Sequence, residues 1–236
     1  QESRGLGDVY KRQVYAPNWL GDTIMSMPAV NMFKSANSQI SLGVIAPYTF
    51  VQLWEMSSSI DEIIPTYKGA SGTRKTISAL REYTASKIYI MPNSFKSAFI
   101  AFLAGIPERV GYAGHFRRLL LTDVVETSSQ PIHQSHEYFN LMGIAPCLQK
   151  INIPLLNIPN EEIVWADNYL NKQKINIAVI PGAARGPSKR WPVTSFIKFI
   201  NMLLEKIDAN VILIGSPQEE TLCNTIAENV TRKIIN

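Results

Sequence analysis

Short β-branched runs alternate with longer amphipathic runs along most of this chain, and that alternation restricts the fold more than any other feature. Strands are expected at residues 40–46, 60–64, 87–91, 109–112, 176–180 and 210–214. Helices are expected at residues 21–35, 48–56, 73–84, 95–104, 135–142, 161–172, 193–206 and 218–228. Within the first helix Ile24, Met27, Val30 and Phe33 recur at helical spacing. Pro47 and Pro92 stop the strands before them, and Gly143 is a natural C-terminal cap. Strand–helix–strand repetition calls for parallel sheets covered by helices on both faces. The rhythm breaks over residues 128–160, where Pro131, Pro146, Pro154 and Pro159 cluster. The expected organisation is α/β, with two Rossmann-like parallel-sheet domains over residues 14–158 and 159–236, the second opening with a connector helix.

Both ends look artificial. Residues 3–13, SRGLGDVYKRQ, resemble a translated sequencing adapter, so residues 1–13 are set aside from the fold. Val14, Tyr15 and Ala16 then form the stub of a first strand. Lys233, Ile234 and Ile235 begin another strand just before the last residue, so the second domain is expected to be incomplete.

Composition removes several function classes. Apolar residues make up 46% and charged residues 18%, a globular balance. The net charge of +4 comes without a basic stripe interleaved with aromatics, so nucleic acid is not an expected partner. The longest apolar run, residues 98–106, falls well short of the ~20 residues a spanning helix needs. No hydrophobic leader stands at the N-terminus. Cys147 and Cys223 give neither a disulfide framework nor metal spacing, which fits a reducing, cytoplasmic setting. His133 and His136 are spaced for a metal on a helix but lack a third ligand, so no metal is expected. Trp19, Trp165 and Trp191 read as packing residues, with Trp19 the least secure because it adjoins Asp22.

Four segments carry candidate chemistry. PNWLGDTIMSMPAV, residues 17–30, puts Asp22 between a strand and a helix, where ligands of parallel sheets bind. A carboxylate beside a helix N-terminus is favoured in its ionised form, which suits a general base. The same position also suits a plain helix cap. MPNSFKSAFIAFLAGIPERVGY, residues 91–112, sets Asn93, Ser94 and Lys96 at a helix start, either an anion site or a capped helix with a solvated lysine. PGAARGPSKRWP, residues 181–192, is a small-residue loop after a strand. It places Lys189 and Arg190 where a helix alone prefers acids, and it matches neither the dinucleotide nor the P-loop pattern. VILIGSPQEE, residues 211–220, ends a strand on Glu219 and Glu220, positioned for ribose hydroxyls or for an acidic first helical turn.

In this order the four segments resemble the ADP-heptose:lipopolysaccharide heptosyltransferases of glycosyltransferase family 9. PNWLGD, PNSFKSA, AGIPERVGY and PGAARGPSKRWP carry most of the likeness, which runs from about Ala16 to Asn236. The resemblance implies a GT-B architecture, with an acceptor domain followed by a nucleotide-sugar domain. It implies an inverting, metal-independent transfer of the second heptose from ADP-heptose to the lipopolysaccharide inner core. ADP-heptose is then a substrate, and no cofactor is needed.

By position, Asp22 corresponds to the proposed catalytic base. Lys189, with Ala184 and Arg185, corresponds to the donor-diphosphate site, and Glu219 to the ribose acid. Relatives carry hydroxyl residues where this chain has Ala184 and Arg185. Asn93, Ser94, Lys96, Arg109, Arg117 and Arg118 lie in the acceptor half and are expected to meet core carboxylates and phosphates. The basic and apolar stretch at residues 116–121 suits either a membrane surface or an element edge with snorkelling arginines. A peripheral place on the inner face of the inner membrane follows from such an acceptor, with no transmembrane segment. The family's later Asp-Ser/Thr-Gly-x-x-His segment is absent, so this fragment is expected to turn over little or nothing. Two rivals remain: a relative using another nucleotide sugar or surface glycan, and a binding module without catalysis.

Overall fold

The computed structural model describes residues 10–128, 130–144, 156–184 and 186–236. Chain contacts divide it into two compact units, Gln1–Asn157 and Ile158–Asn236.

The first unit runs β1 (Lys11–Tyr15), α1 (Leu20–Ala36), β2 (Ser41–Pro47), α2 (Val51–Glu55), β3 (Glu62–Thr66), α3 (Gly69–Tyr83), β4 (Lys87–Ile90), α4 (Phe95–Leu103), β5 (Glu108–Tyr112), β6 (Asp123–Val125) and α5 (Gln134–Leu141). Its six strands form one sheet in the order β3-β2-β1-β4-β5-β6, and every pairing is parallel. Such a sheet is covered on both faces, which is why its central strands carry nearly continuous apolar runs. Val14, Val44 and Tyr89 share one core cluster with Met27, Val30 and Phe33 of α1 and Phe139 and Leu141 of α5. Tyr15, Ile45, Ile88 and Ile90 face the other way, onto Leu80 of α3 and Ala98 and Ala101 of α4. Chain order reverses between β1 and β4, and ligands of such sheets bind at the strand carboxyl ends beside that reversal.

The second unit runs α6 (Asn160–Asp167), β7 (Ile175–Val179), α7 (Val193–Lys206), β8 (Ala209–Leu213) and α8 (Glu220–Asn229). β7 and β8 pair in parallel, and Ile235 adds a parallel bridge to Ile212. Val179, Ile200, Leu204, Val211, Leu213, Cys223 and Ile226 form its core.

The structure corrects one expectation about the N-terminus. Lys11, Arg12 and Gln13, set aside with the adapter-like residues, are the first three residues of β1. A central strand must pair on both sides, and it does: Gln13 lies between Gly43 of β2 and Ile88 of β4. The Gln13 side chain is buried, and neither its Nε2 nor its Oε1 has a hydrogen-bond partner among the described residues. A buried amide left unpaired costs about 1–3 kcal/mol. Gln13→Met keeps the length of the side chain and removes both polar atoms. It is expected to raise the melting temperature of the first unit, at about 2–4 °C per kcal/mol gained for a chain of this size. Thermal unfolding followed by circular dichroism reads this out, and an unchanged or lower midpoint would contradict it.

Candidate active site

The carboxyl ends of β1 to β4 open into a cleft of about 620 Å³ within the first unit. Asn18 and Trp19 line it after β1, Tyr48 and Thr49 after β2, Tyr67 and Lys68 after β3, and Ser94 and Lys96 after β4. Tyr48 and Tyr67 stack with ring centres 5.5 Å apart. Both rings are exposed, so their faces and hydroxyls offer an apolar-and-polar platform of the kind sugars rest on. Lys68 and Lys96 make the cleft basic. Tyr15 closes its floor, and burial pushes its hydroxyl pKa up to about 12.

Asp22 stands in the first turn of α1, beside this cleft but outside its lining. It is not the helix cap, because Trp19 occupies that position. Among the described residues the Asp22 carboxylate makes no hydrogen bond or ion pair. Its charge is felt by Tyr138 of α5: burial, and then Asp22, push that hydroxyl pKa up. A half-buried carboxylate with open acceptor sites, at a helix N-terminus, can take a proton from an incoming hydroxyl.

The other acceptor candidates separate. Ser94 both caps α4, accepting from the Ser97 N–H at 3.2 Å, and lines the cleft. Lys96 is exposed into the cleft, and Asn93 is exposed on the same loop outside the lining. Arg109 is a correction. It lies near the N-terminal end of β5, and parallel strands carry that end away from the ligand edge. Its guanidinium donates to the carbonyls of Leu120, Ile106 and Pro107 and sits over the Phe102 ring. Arg117 is a second correction. Its side chain is fully buried, donating Nε–H to the Tyr112 carbonyl at 2.8 Å and Nη1–H to the Pro92 carbonyl. Ser97 Oγ reaches the same Pro92 carbonyl, so Arg117 braces the β4–α4 loop instead of meeting a ligand. Arg118 is exposed in a 3-10 turn, Arg118–Leu120.

Among the tryptophans, Trp191 is 59% exposed over a second depression yet packs on the Phe196 and Phe199 rings, and Trp19 is 51% exposed in the cleft lining. Trp165 is exposed against the Tyr169 ring. The buried tryptophan is Trp54. His133 caps α5, with its Nδ1 accepting from the Ser135 N–H.

In the second unit, Lys189 and Arg190 line a depression of about 400 Å³ after β7, with Pro181, Gly182 and Trp191. Lys189 is exposed on a 3-10 turn, Pro187–Lys189. Ala184 is exposed on the same loop, and Arg185 lies outside the described residues.

Glu219 joins the loops that follow β7 and β8. Its Oε2 accepts from the Ser216 N–H and Oγ, each at 2.8 Å, in a capping box. Its carboxylate also lies against Gly182 and the Ala183 N–H. These Ser216 bonds, with Arg190 nearby, hold its carboxyl pKa below the usual range. Any Cβ at Gly182 would fall 1.6 Å from Glu219 Oε1, so Gly182→Ala must displace the carboxylate.

Losing that box is expected to destabilise the second unit by about 1 kcal/mol, read as a lower thermal midpoint. Because the folded pKa is depressed, the carboxylate's contribution is present above the unfolded pKa. It is lost as pH falls through the folded value. Glu219→Gln should therefore flatten the loss of thermal stability as pH falls from the ordinary carboxylate pKa down through the folded value. An unaltered acid dependence would contradict the capping role.

Sequence reasoning missed Tyr48, Tyr67 and Lys68. The signal was available, since each lies within four residues of the end of an expected strand, where parallel sheets present ligand-binding residues.

Comparison with known proteins decides the lineage. Residues 73–236 match the model of glycosyltransferase family 9 (heptosyltransferase). The chain belongs to glycosyltransferase family 9. It is 31% identical over 229 residues to lipopolysaccharide heptosyltransferase 2 of Escherichia coli, an alignment covering 90% of this chain and 65% of that protein. The chain thus spans just under two thirds of this relative's length. The solved structure of E. coli ADP-heptose lps heptosyltransferase II superposes with a TM-score of 0.78 at 28% identity, covering 94% of this chain and 69% of that one. A family 9 glycosyl transferase from Veillonella parvula shares the fold at 20% identity, with a TM-score of 0.76 over 96% of this chain and 68% of that one. The α/β fold of this family 9 chain is thus of the expected GT-B type.

Proposed function

We propose that this family 9 protein transfers the second heptose from ADP-heptose to the lipopolysaccharide inner core, with inversion and without a metal ion. The observation that carries this is Asp22, placed with open acceptor sites beside a basic, tyrosine-lined cleft at the carboxyl ends of the sheet. The E. coli relatives whose names specify heptosyl transfer and ADP-heptose support heptose as the sugar and ADP as the nucleotide.

In this reading the acceptor sugar rests in the cleft. Lys68 and Lys96 neutralise its anionic groups, and Tyr48 and Tyr67 contact its rings. Asp22 takes the proton of the attacking hydroxyl. The oxygen bonds to the anomeric carbon as the bond to ADP breaks on the opposite face, which inverts the configuration. Negative charge grows on the leaving diphosphate, and Lys189, Arg190 and loop N–H groups stabilise it there. Those cations supply the charge that a divalent ion supplies in other transferases. Ser216 occupies one oxygen of Glu219, and a carboxylate has further lone pairs for ribose hydroxyls. Catalysis is placed in the cytoplasm, at the membrane face where the lipid-linked acceptor is anchored.

The stereochemistry and metal test is direct. The protein, carried at the full length of its relatives, is incubated with ADP-heptose and acceptor in excess EDTA, and the new glycosidic linkage is read by NMR. Inverted product at an undiminished rate supports the reading. Retained configuration, or rate loss restored by a divalent ion, would overturn it. A partner that binds ADP and acceptor without any product would instead support a non-catalytic binding module.

A further inference from the structure

Beyond Lys96 in its first turn, α4 exposes only apolar side chains. Its buried face carries Ala98, Ile100 and Ala101, and its exposed face carries Phe95, Phe99, Phe102 and Leu103. Phe95 and Phe99 stack in the open, with centroids 5.7 Å apart. The loop at residues 113–119 stands beside it. Arg109 ties the two together, donating to the Leu120 carbonyl while its guanidinium covers the Phe102 ring. In that loop Phe116 is 95% exposed and Leu119 is 92% exposed. His115 and Phe116 hold φ of 47° and 58°, a left-handed backbone that side-chain-bearing residues rarely adopt.

Within residues 91–122 the only acid is Glu108, and it is paired with Lys87 at 3.0 Å. Arg109 and Arg117 are committed to backbone carbonyls, which leaves Lys96 and Arg118 as the exposed cations of this stretch, and the exposed Arg81 of α3 donates to the Leu103 carbonyl at the end of α4. Exposed apolar side chains fringed by basic ones fit the headgroup region of an anionic bilayer. A second copy fits poorly. A two-fold pair sets the same patch against itself, and Lys96 and Arg118 would then meet like charges with no unpaired acid in this stretch to answer them.

We propose that the outer face of α4 and the 113–119 loop form a docking surface for an anionic phospholipid bilayer. This deepens the membrane-face reading above by naming the surface and the lipid chemistry. Ser94 and Lys96, at the start of the same helix, line the cleft. Docking through α4 therefore brings the cleft mouth to a lipid-anchored acceptor.

The test is co-sedimentation of the 236-residue chain with extruded vesicles, either phosphatidylcholine alone or phosphatidylcholine mixed with phosphatidylglycerol. No vesicle contains glycolipid, so the outcome is independent of the transferase reading. Binding is expected only to the anionic vesicles and should weaken as salt rises. Phe116→Ser combined with Leu119→Ser should lower the partition coefficient by about tenfold or more. Phe99→Ser, on the helix, should lower it in the same direction, which keeps the test open should the loop variant misfold. Equal binding to both vesicle types, or folded variants that bind like the parent, would overturn the proposal. So would vesicle-free self-association, read by sedimentation velocity, that the same variants abolish. Vesicle binding by this chain, with no heptose gained by the acceptor when the protein at the full length of its relatives is assayed, would leave the docking surface standing and sink the transferase reading, and the converse would do the opposite.

Discussion

Asp22→Asn is expected to lower kcat by about 10²- to 10⁴-fold, the usual contribution of a positioned general base, while leaving donor affinity unchanged. Asparagine keeps the shape of the side chain but cannot accept the proton. No hydrogen bond or ion pair to the carboxylate is present among the described residues, so the substitution breaks no structural contact. Trp19, not Asp22, caps α1, and the helix should form as before. Lys189 and Glu219, proposed here to hold the donor, belong to the second unit, so ADP titration should give the parent affinity. Turnover within a few-fold of the parent would remove Asp22 from the chemistry. A matching loss of thermal stability would show that its role is structural.

Lys189→Ala is expected to weaken ADP binding by about 10- to 100-fold. A hydrogen bond to a charged group contributes about 1.5–3 kcal/mol, and each 1.4 kcal/mol is about tenfold in affinity. Lys189 is exposed on the 3-10 turn after β7, and its side chain supports no other part of the fold among the described residues. The loss should therefore appear in binding and not in stability. Because the contact is solvent-facing, the difference between parent and variant should narrow as salt rises. Lys189→Arg keeps the charge but replaces a compact ammonium with a planar fork, so it should recover only part of the affinity. Calorimetric titration with ADP reads all three. An unchanged Kd for the alanine variant would move the diphosphate site away from this loop.

The sequence showed what repeats and concealed what turns inward. α7 was legible to the residue, Val193–Lys206, because its apolar positions recur at helical spacing between Pro192 and a strand. β6 was missed because three residues, Asp123–Val125, carry no periodicity and are recognisable only by their pairing with β5. α6 ends at Asp167, five residues before the expected end.

The site divides along the same line. The positions of Asp22, Ser94, Lys96 and Lys189 at strand-to-helix junctions were legible because the alternation of strands and helices fixes where those junctions fall. Arg109 and Arg117 were misread, since a sequence shows a charge but not the backbone carbonyls that claim it. Gln13 was misread in the opposite sense. It was set aside as the last residue of the adapter-like stretch, yet β1 needs a residue there to pair with β2 and β4.

The most direct test of the central claim is mass spectrometry of the acceptor. The protein at the full length of its relatives is incubated with ADP-heptose and singly heptosylated core lipid. A gain of one heptose that disappears with Asp22→Asn is the predicted result. An unchanged lipid mass, under conditions where ADP demonstrably binds, would contradict the account and leave a family 9 protein acting on a different sugar or acceptor.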